Sequence, residues 1–459
     1  MIPMQGLKIA EIVGGTFHGD DVTVTQAPVI NSGKAITGSI FLAIKGENAD
    51  GHDFVEDARA HGAVLTLGSK AVPGPHIIVD DVVLAIGKLA HHVRMQLPNL
   101  TVIGITGSQG KTTTKELLAS VLSNVAKTVA PSGNFNNDLG MPISLLECME
   151  ETRYCVVEMG ARHAGDIARL AAIAAPNIGV VLKVGSAHKG EFGSVEMIAR
   201  TKSELISALA PSAVAILGTY DEFTPKMAAL HSGKTSYFGE KSSCDIRATD
   251  IEFREGRAHF DLVTPEGRTA VGLRIVGLHQ VANALAVAAV ATELGLSLDQ
   301  IAGGLSTAES GAKWRMEIIE LPQLLLINDA YNASPESMVA ALGTLALFAQ
   351  ERGGESWAFL GKMQELGESS QSDHADIGTL ASELGIDHLV CVNAPEYASS
   401  AENGSHTTIH LCASKDEASA IARNLNQGDV VLVKASRSEK LEELAQMISV
   451  QWSEGMVAE

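Results

Sequence analysis

One short segment places glycines, a lysine and threonines at the spacing that binds nucleotide phosphates. Its sequence from Thr106 is TGSQGKTT, and its candidate ATP-binding residues are Gly107, Ser108, Gln109, Gly110, Lys111, Thr112 and Thr113. The glycines let the backbone curl, so that successive N–H groups can point at phosphate oxygens. The spacing predicts that Lys111 reaches the β- and γ-phosphates and that the Thr112 hydroxyl holds Mg²⁺.

The segments on either side of this loop support the prediction. A β-type run over residues 101–105 precedes it, and apolar residues at helical spacing follow it from Leu117 to Val125. A strand, a glycine loop and a helix in this order are typical of phosphate loops, and the helix N-terminus adds partial positive charge. The common pattern has a glycine where this chain has Ile105. The alternative interpretation is a glycine turn beside a surface lysine.

Two candidate metal ligands follow predicted strands. Glu158 comes directly after the hydrophobic run 154–157, and an acidic residue at that place in a phosphate-loop protein normally faces Mg²⁺. An exposed carboxylate at a strand end is the alternative. His188 lies in the loop after the predicted strand 178–184. Because magnesium prefers oxygen ligands, the pattern alone leaves a structural role for this histidine equally open.

Lys202 lies within the apolar face of a predicted helix over residues 194–209. At about 3.6 residues per turn, that face is formed by Val195, Ile198, Ala199, Leu205, Ile206 and Leu209. A lysine there either extends to the rim of the face or is desolvated, and desolvation favours the neutral amine. A neutral amine can add CO₂ to give a carbamate, which is anionic and can bind a metal ion.

Polar residues at the start of another predicted helix are candidates for a nucleotide-base pocket. His279 and Asn283 are four residues apart, so they share one face of the helix predicted over residues 278–294. From spacing alone, a polar helix start without a ligand is an equally good interpretation.

The last third of the chain places polar motifs after three predicted strands. These motifs, at residues 329–332, 361–368 and 434–437, contain Asp329, Tyr331, Lys434 and Arg437. Sites in open α/β sheets form at the carboxyl ends of strands, so turns alone explain the motifs poorly. Arg315 precedes them at a predicted hinge, where it could clamp a γ-phosphate as domains close. A surface ion pair is its alternative role.

The order of predicted elements indicates an α/β protein with three domains. At roughly 150 residues per domain, 459 residues suggest about three of them. We expect a small N-terminal α/β substrate domain over residues 1–98 and a central phosphate-loop domain with a parallel sheet over residues 99–309. Residues 310–459 are predicted to form a doubly wound, Rossmann-like C-terminal domain.

Composition places the chain among globular enzymes of a reducing compartment. A net charge of −20 makes nucleic acid and anionic membranes poor partners, so an anionic substrate would need Lys and Arg gathered locally. The five cysteines show no C-x-x-C spacing, which favours buried free thiols. The chain lacks a signal-peptide pattern, and no apolar run approaches the ~18 residues of a membrane span. We therefore expect a cytoplasmic monomer without membrane insertion.

Together these motifs resemble the Mur ligase family. The matching stretches follow the family's order across nearly the whole chain: TGSQGKTTTKE, GNFNNDLGMP, VVEMGARHAGDIA, SAHKGEFGS, ARTKSEL, GLHQVANALA, KWRMEI, NDAYNASPESM and GKMQELGE. NDAYNASP stands where the diamino-acid-adding member has Asp-Asn-Pro-Arg, so the resemblance favours the dipeptide-adding branch.

The resemblance implies an ATP-dependent ligase reaction between UDP-N-acetylmuramoyl-tripeptide and D-alanyl-D-alanine. ATP would phosphorylate the terminal carboxylate of the tripeptide, and the dipeptide amine would then displace phosphate to give an amide. Two Mg²⁺ ions are implied. Their protein ligands would be Thr112, Glu158, His188 and a CO₂-derived carbamate on Lys202.

The resemblance also implies roles for the remaining candidates. Lys111 and Arg315 join the catalytic set with Glu158, His188 and Lys202. The further ATP contacts would be Asn283, Arg315, Asp329 and Tyr331, and the substrate contacts would be Ser32, Asn136, Asn137, Lys434 and Arg437. Ser32 lies where the family usually has Asp-Ser-Arg, whereas this chain has Asn-Ser-Gly. The alternatives are a diamino-acid-adding Mur enzyme, a folylpolyglutamate synthetase or, outside the ligases, a nucleotide-dependent switch.

Overall fold

A computed structural model of the chain describes residues 1–454, apart from residues 132, 134, 186–188, 310, 312 and 401–405. The described residues form three successive α/β units around three main sheets. This confirms the predicted fold class, while the domain boundaries stay predictions. Within the described part, no helix is both long enough and apolar enough to cross a bilayer.

The N-terminal unit is a small mixed sheet with three helices. Its strands are β1 (Met4–Gln5), β2 (Thr16–His18), β3 (Thr23–Val24), β4 (Ile40–Ala43), β5 (Leu65–Gly68) and β6 (His76–Ile78), and its helices are α1 (Gly6–Val13), α2 (Val55–Ala60) and α3 (Val82–Gln96). Strands β4, β5 and β6 run parallel, and β2 pairs antiparallel with β6 at the edge. Strands β1 and β3 form a separate antiparallel pair.

The central unit is built on one large sheet. Its strands are β7 (Thr101–Thr106), β8 (Thr128–Val129), β9 (Tyr154–Glu158), β10 (Ile178–Val181), β11 (Val214–Gly218), β12 (Lys234–Gly239), β13 (Ile246–Arg254), β14 (Arg257–Thr264) and β15 (Gly267–Val276). Its helices are α4 (Lys111–Ser123), α5 (Gly140–Leu146), α6 (Asp166–Ala174), α7 (Lys189–Phe192), α8 (Val195–Ser207), α9 (Gln280–Glu293) and α10 (Leu298–Thr307).

The predicted parallel sheet is confirmed for most of this unit. Strands run parallel in the order β8-β9-β7-β10-β11-β12-β13, and β14 and β15 extend that sheet with antiparallel pairing. A two-residue turn at Glu255 and Gly256 joins β13 to β14, and both residues have positive φ. Turns of two residues with positive φ match the twist of hairpin strands, so β14 folds back against β13.

The C-terminal unit is a doubly wound sheet with one antiparallel edge. Its strands are β16 (Glu317–Leu321), β17 (Leu324–Asp329), β18 (Ser356–Leu360), β19 (His388–Val392), β20 (Thr408–Cys412) and β21 (Val430–Lys434), and its helices are α11 (Pro335–Arg352), α12 (Ser370–Glu383), α13 (Lys415–Ile421) and α14 (Glu442–Glu454). The order is β16-β17-β21-β18-β19-β20, parallel except for β16. Apolar clusters cover both faces of this sheet.

Helix α3 attaches the N-terminal unit to the central one. Its apolar face shares a single buried cluster with α5 and α6. The Arg94 guanidinium donates to the carbonyl oxygens of Ala174 and Ala175, at 3.2 Å each, where α6 ends. Arg94 also donates to Asn177 Oδ1 at 2.8 Å. The hydrophobic core therefore continues across the predicted boundary between residues 98 and 99.

Candidate active site

The carboxyl ends of strands from two sheets open onto one cleft of about 810 Å³. Its walls come from the loop after β7, the end of β9, helices α8 and α9, the segment after β17 and the end of β21. Of the predicted site residues, it is lined by Ser108, Gln109, Gly110, Lys111, Thr112, Thr113, Asn136, Asn137, Glu158, Lys202, Asn283, Arg315, Asp329, Tyr331 and Lys434. Thus most of the predicted set converges in one place.

Four predicted residues are not among the described residues that line this cleft. One is Gly107, whose main-chain oxygen accepts a hydrogen bond from Lys111 Nζ. His188 lies outside the described residues. Ser32 lies in a short 3₁₀ turn of the N-terminal unit, although its neighbour Ile30 reaches the cleft wall. Arg437 is exposed beyond β21, where its guanidinium stacks over Trp314 with 4.3 Å to the ring centroid. Among the described lining residues, Lys and Arg outnumber Asp and Glu, as an anionic substrate requires in so acidic a chain.

The phosphate loop has the backbone that its glycines predict. Gly110 immediately precedes α4 and has a φ of 80°, a left-handed conformation that favours glycine. A Cβ on Gly110 would lie 2.3 Å from Asn283 Oδ1, so a side chain there would collide with α9. Lys111 Nζ donates to Gly107 O at 2.8 Å, which holds the ammonium over the loop. Burial lowers the pKa of Lys111, and nearby Glu158 opposes that shift.

Glu158 is buried and held at both oxygens. It is the last residue of β9 and is only 2% exposed, which excludes an exposed carboxylate at the strand end. Thr112 Oγ1 donates to Glu158 Oε2 at 2.9 Å, and Asn136 Nδ2 donates to Oε1 at 2.9 Å. A hydroxyl and a carboxylate at the foot of a phosphate loop are oxygen donors of the kind that Mg²⁺ takes alongside nucleotide phosphates. These side chains therefore fit a magnesium ion.

Lys202 is desolvated rather than extended to the rim of its helix. The residue is 5% exposed within α8 and still lines the cleft. Burial, reinforced by the charge of Lys111, lowers the pKa of Lys202 to about 7. No group of three or more His, Cys, Asp or Glu side chains that could hold a metal occurs among the described residues. A carbamate on Lys202 would add an anionic oxygen donor to this wall.

The start of α9 is tied to the phosphate-loop helix. Thr114 Oγ1 donates to Asn283 Oδ1 at 3.2 Å, and Asn283 Nδ2 donates to Gln280 Oε1 at 2.7 Å. Gln280 Nε2 lies 3.0 Å from His279 Nε2. This chain of hydrogen bonds fixes the amide of Asn283 against Gly110, at the inner wall of the cleft.

The hinge segment aims Arg315 into the cleft. Its guanidinium stacks over Tyr331, with 3.8 Å to the ring centroid. The flanking residues Trp314 and Met316 both have positive φ, which is rare outside glycine. One main-chain and one side-chain partner hold them there: Tyr331 N donates to Trp314 O at 3.0 Å, and Met316 N donates to the carboxylate oxygen Asp329 Oδ1 at 3.0 Å.

Hydrogen bonds that the sequence did not predict connect the phosphate loop and helix α7 of the central unit to the C-terminal unit. Gln109 Nε2 donates to Ser334 Oγ at 3.0 Å and to Glu336 Oε2 at 3.2 Å, at the start of α11. Gly190 N donates to Glu365 O at 2.9 Å, which joins α7 to the motif after β18.

Lys115 was not among the predicted site residues, although its place four residues after Lys111 puts both lysines on one helix face.

Comparison with known proteins agrees with this arrangement. Three family models match in order: the Mur ligase family catalytic domain over residues 29–93, the Mur ligase middle domain over 105–291, and the Mur ligase glutamate ligase domain over 314–437. The UDP-N-acetylmuramoyl-tripeptide–D-alanyl-D-alanine ligase of Mycobacterium tuberculosis is 39% identical, with 96% of each chain covered. The enzyme of that name in Escherichia coli is 35% identical over 98% of this chain and 99% of its own.

Solved structures agree as well. MurF from Acinetobacter baumannii superposes with a TM-score of 0.88 at 36% identity, covering 97% of this chain and 99% of that one. MurF from Thermotoga maritima in complex with ADP gives a TM-score of 0.81 at 31% identity, covering 94% and 99%. The chain belongs to the Mur ligase family.

Proposed function

We propose that this chain is an ATP-dependent ligase that joins D-alanyl-D-alanine to the terminal carboxylate of UDP-N-acetylmuramoyl-tripeptide. The names of its full-length relatives support this choice of substrates. The observation that carries the proposal is the convergence of Lys111, Glu158 and Lys202 on a cleft that the C-terminal unit closes from the other side. That arrangement suits a reaction in which a phosphoryl group passes to a carboxylate before an amine arrives.

The proposed reaction has two steps. A carboxylate oxygen of the tripeptide attacks the γ-phosphorus of ATP, ADP leaves, and an acyl phosphate forms. The amine nitrogen of the dipeptide then attacks the acyl carbon, inorganic phosphate leaves, and the nitrogen loses a proton. Phosphoryl transfer needs positioning and charge neutralisation, and Lys111 and Arg315 would supply cations for the γ-phosphate.

Thr112 would hold one Mg²⁺ beside the phosphates, and Glu158 and His188, with a carbamate on Lys202, would hold a second. Bound magnesium would neutralise charge on the transferring phosphoryl group. A free ammonium would repel the ion, whereas a carbamate would attract it. The pKa of Lys202, lowered to about 7, leaves much of the amine neutral at physiological pH, as carbamate formation requires.

The substrates would enter from opposite ends of the cleft. Ile30 lines the end nearest the N-terminal unit, which would hold the nucleotide sugar with the help of Ser32. Asn136 and Asn137 would contact the peptide, while Asn283, Asp329 and Tyr331 would contact ATP. Lys434 and Arg437, at the end of β21, would take part in binding the dipeptide.

We also propose a cytoplasmic monomer. All five cysteines are free and buried in the structure, as in a reducing compartment, and the reaction consumes ATP.

The decisive experiment measures phosphate release from ATP in the presence of UDP-N-acetylmuramoyl-tripeptide while the amine is varied. We expect turnover with D-alanyl-D-alanine and none with a diamino acid or glutamate. Lys111→Met should abolish turnover, and Lys226→Met, which alters an exposed lysine paired with Glu222, should not. Turnover that depends on glutamate or a diamino acid would refute the proposal.

A further inference from the structure

A second lysine of α4 is buried next to the active site and has no part in the proposed chemistry. Lys115 is 1% exposed and is among the largest fully buried side chains of the described residues. A buried ammonium is costly unless hydrogen bonds satisfy it. Lys115 Nζ donates to the main-chain oxygen of Pro131 and, at 2.8 Å, to that of Gly133.

The two carbonyls belong to the segment between β8 and α5, which also carries Asn136. Asn136 Nδ2 donates to Glu158 Oε1 at 2.9 Å, and its main-chain oxygen accepts from Gly160 N at 2.8 Å. A Cβ on Gly160 would lie 3.0 Å from the Asn136 side chain, so the two residues are in close contact. Contacts with Gly160 thus hold the main chain of Asn136 beside the end of β9, while its side-chain amide bonds Glu158.

Both hydrogen bonds to Glu158 thus depend on α4. Thr112, in the first turn of the helix, donates to Oε2 directly. Lys115, in the next turn, holds the segment whose Asn136 donates to Oε1. A carboxylate has about four acceptor positions, so two remain once these hydrogen bonds are made.

We propose that Lys115 is a positioning residue for Glu158: by holding the main chain at Pro131 and Gly133, it keeps Asn136 on Oε1 and leaves the free lone pairs facing the cleft. The proposal rests on the proposed role of Glu158 as a metal ligand. Residues that orient a ligand in this way affect metal affinity about 10- to 100-fold when they are changed.

The chemistry of the lysine suits this task. Three N–H donors on a flexible stem can serve two carbonyls at once, whereas glutamine can serve both only if their geometry matches its planar amide. Methionine has a similar length and no donor. Lys115→Met therefore removes the hydrogen bonds to both carbonyls, and Lys115→Gln removes them in part. If the methionine variant does not fold, the same measurements are made on the glutamine variant.

Two measurements besides turnover test the proposal. Hydrogen exchange reports whether the amides of Gly140 and Gly160, bonded to Asn137 and Asn136, open faster. Electron paramagnetic resonance reports the Kd of Mn²⁺, used in place of Mg²⁺, in the presence of ATP. Arg94→Met is the matched control, because Arg94 is another buried cation that donates to carbonyls but is not among the residues that line the cleft.

We expect Lys115→Met to speed exchange at both amides and to raise the Kd of Mn²⁺ about ten-fold. Asn136→Ala should raise the Kd by a similar factor. The variant with both changes should have a Kd no higher than that of the single variant with the higher Kd, because both changes break the same chain of contacts. Arg94→Met should leave the Kd unchanged.

The role of Lys115 would be overturned if amide hydrogen exchange at Gly140 and Gly160 were unchanged in the Lys115 variants. It would also be overturned if the two single-variant increases in the Kd of Mn²⁺ multiplied in the double variant. Glu158→Gln tests the underlying assumption separately. If that variant bound Mn²⁺ as tightly as the unaltered chain, the proposed metal role of Glu158 would fail, and the positioning role would fail with it.

Discussion

Lys434 Nζ lies 2.6 Å from Asp329 Oδ2, in an ion pair between a buried lysine and a partly buried aspartate at the edge of the cleft. The two residues are register partners at the ends of the parallel strands β17 and β21. Lys434 also donates to Asn332 O at 2.8 Å, and Asp329 accepts from the hinge at Met316. Lys434, predicted to bind substrate, thus holds Asp329, predicted to bind ATP. The same ion pair therefore positions residues of both predicted sites.

Breaking this pair should destabilise the C-terminal unit. Lys434→Met leaves the partly buried Asp329 carboxylate without its cation, which should cost about 3 kcal/mol of unfolding free energy, the lower end of the range for buried pairs. All three tryptophans lie in this unit, at 314, 357 and 452, so urea unfolding followed by their fluorescence reports on it. The paired change Asp329→Asn with Lys434→Met should recover part of the loss. Equal stability of Lys434→Met and the unaltered chain would contradict a supporting ion pair.

Lys202→Ala should be nearly inactive, because the proposed carbamate cannot form. Short carboxylates such as acetate or propionate can occupy the vacated space and supply an anionic oxygen, so they should restore part of the rate. Lys226→Ala, at an exposed position, should keep full activity and show no response to these acids. Full activity of Lys202→Ala without added carboxylate would rule out the carbamate.

The lowered pKa of Lys202 predicts a pH dependence of stability. The folded group titrates at about 7 and the unfolded one near 10.5, so between these values the unfolded chain binds more protons. Stability of the unaltered chain should therefore rise with pH across this window, by up to about 1.4 kcal/mol per unit. Lys202→Met should show a flatter curve and should be the more stable protein near pH 7 in CO₂-free buffer. Parallel curves from pH 7 to 10 would contradict this.

Gly110→Ala should abolish ATP binding, measured by calorimetry. Its left-handed φ strains any side chain by about 1–2 kcal/mol, and the new methyl group would also meet Asn283. Gly165→Ala is the matched control, because Gly165 has a φ of 92° and open space around its Cβ position. The control should lose some stability and retain ATP affinity. Equal ATP affinity of the two variants would show that the contact with Asn283 is unimportant.

Arg315→Lys should lower kcat by about 100-fold while changing the KM for ATP much less. Lysine keeps the charge but loses the planar guanidinium that stacks over Tyr331 and can grip a phosphate with two donors. Tyr331→Phe preserves the ring and should remain near full activity, whereas Tyr331→Ala should resemble Arg315→Lys. Steady-state kinetics separates these cases, and an unaffected kcat in Arg315→Lys would exclude a role in phosphoryl transfer.

Local pattern was sufficient to predict most elements and many site residues. Strand β7, the loop at Gly110 and helix α4 were predicted because glycine placement and apolar spacing act over a few residues. The strand ends at Glu158, Asp329 and Lys434 were predicted because a hydrophobic run ends where polar residues begin, and parallel sheets collect such ends at one edge.

The sequence by itself therefore determined the phosphate loop, the order of strands and helices, and a polar set able to serve ATP and Mg²⁺. Only the tertiary structure decided that Lys202 is desolvated, that Asn136 and Thr112 hold Glu158 between them, and that Lys434 pairs with Asp329. These facts depend on residues far apart in the chain, and burial and hydrogen bonding between them follow from packing rather than from spacing. The charge of Lys115 is visible in the sequence, but its partners are main-chain carbonyls, which no side-chain pattern records.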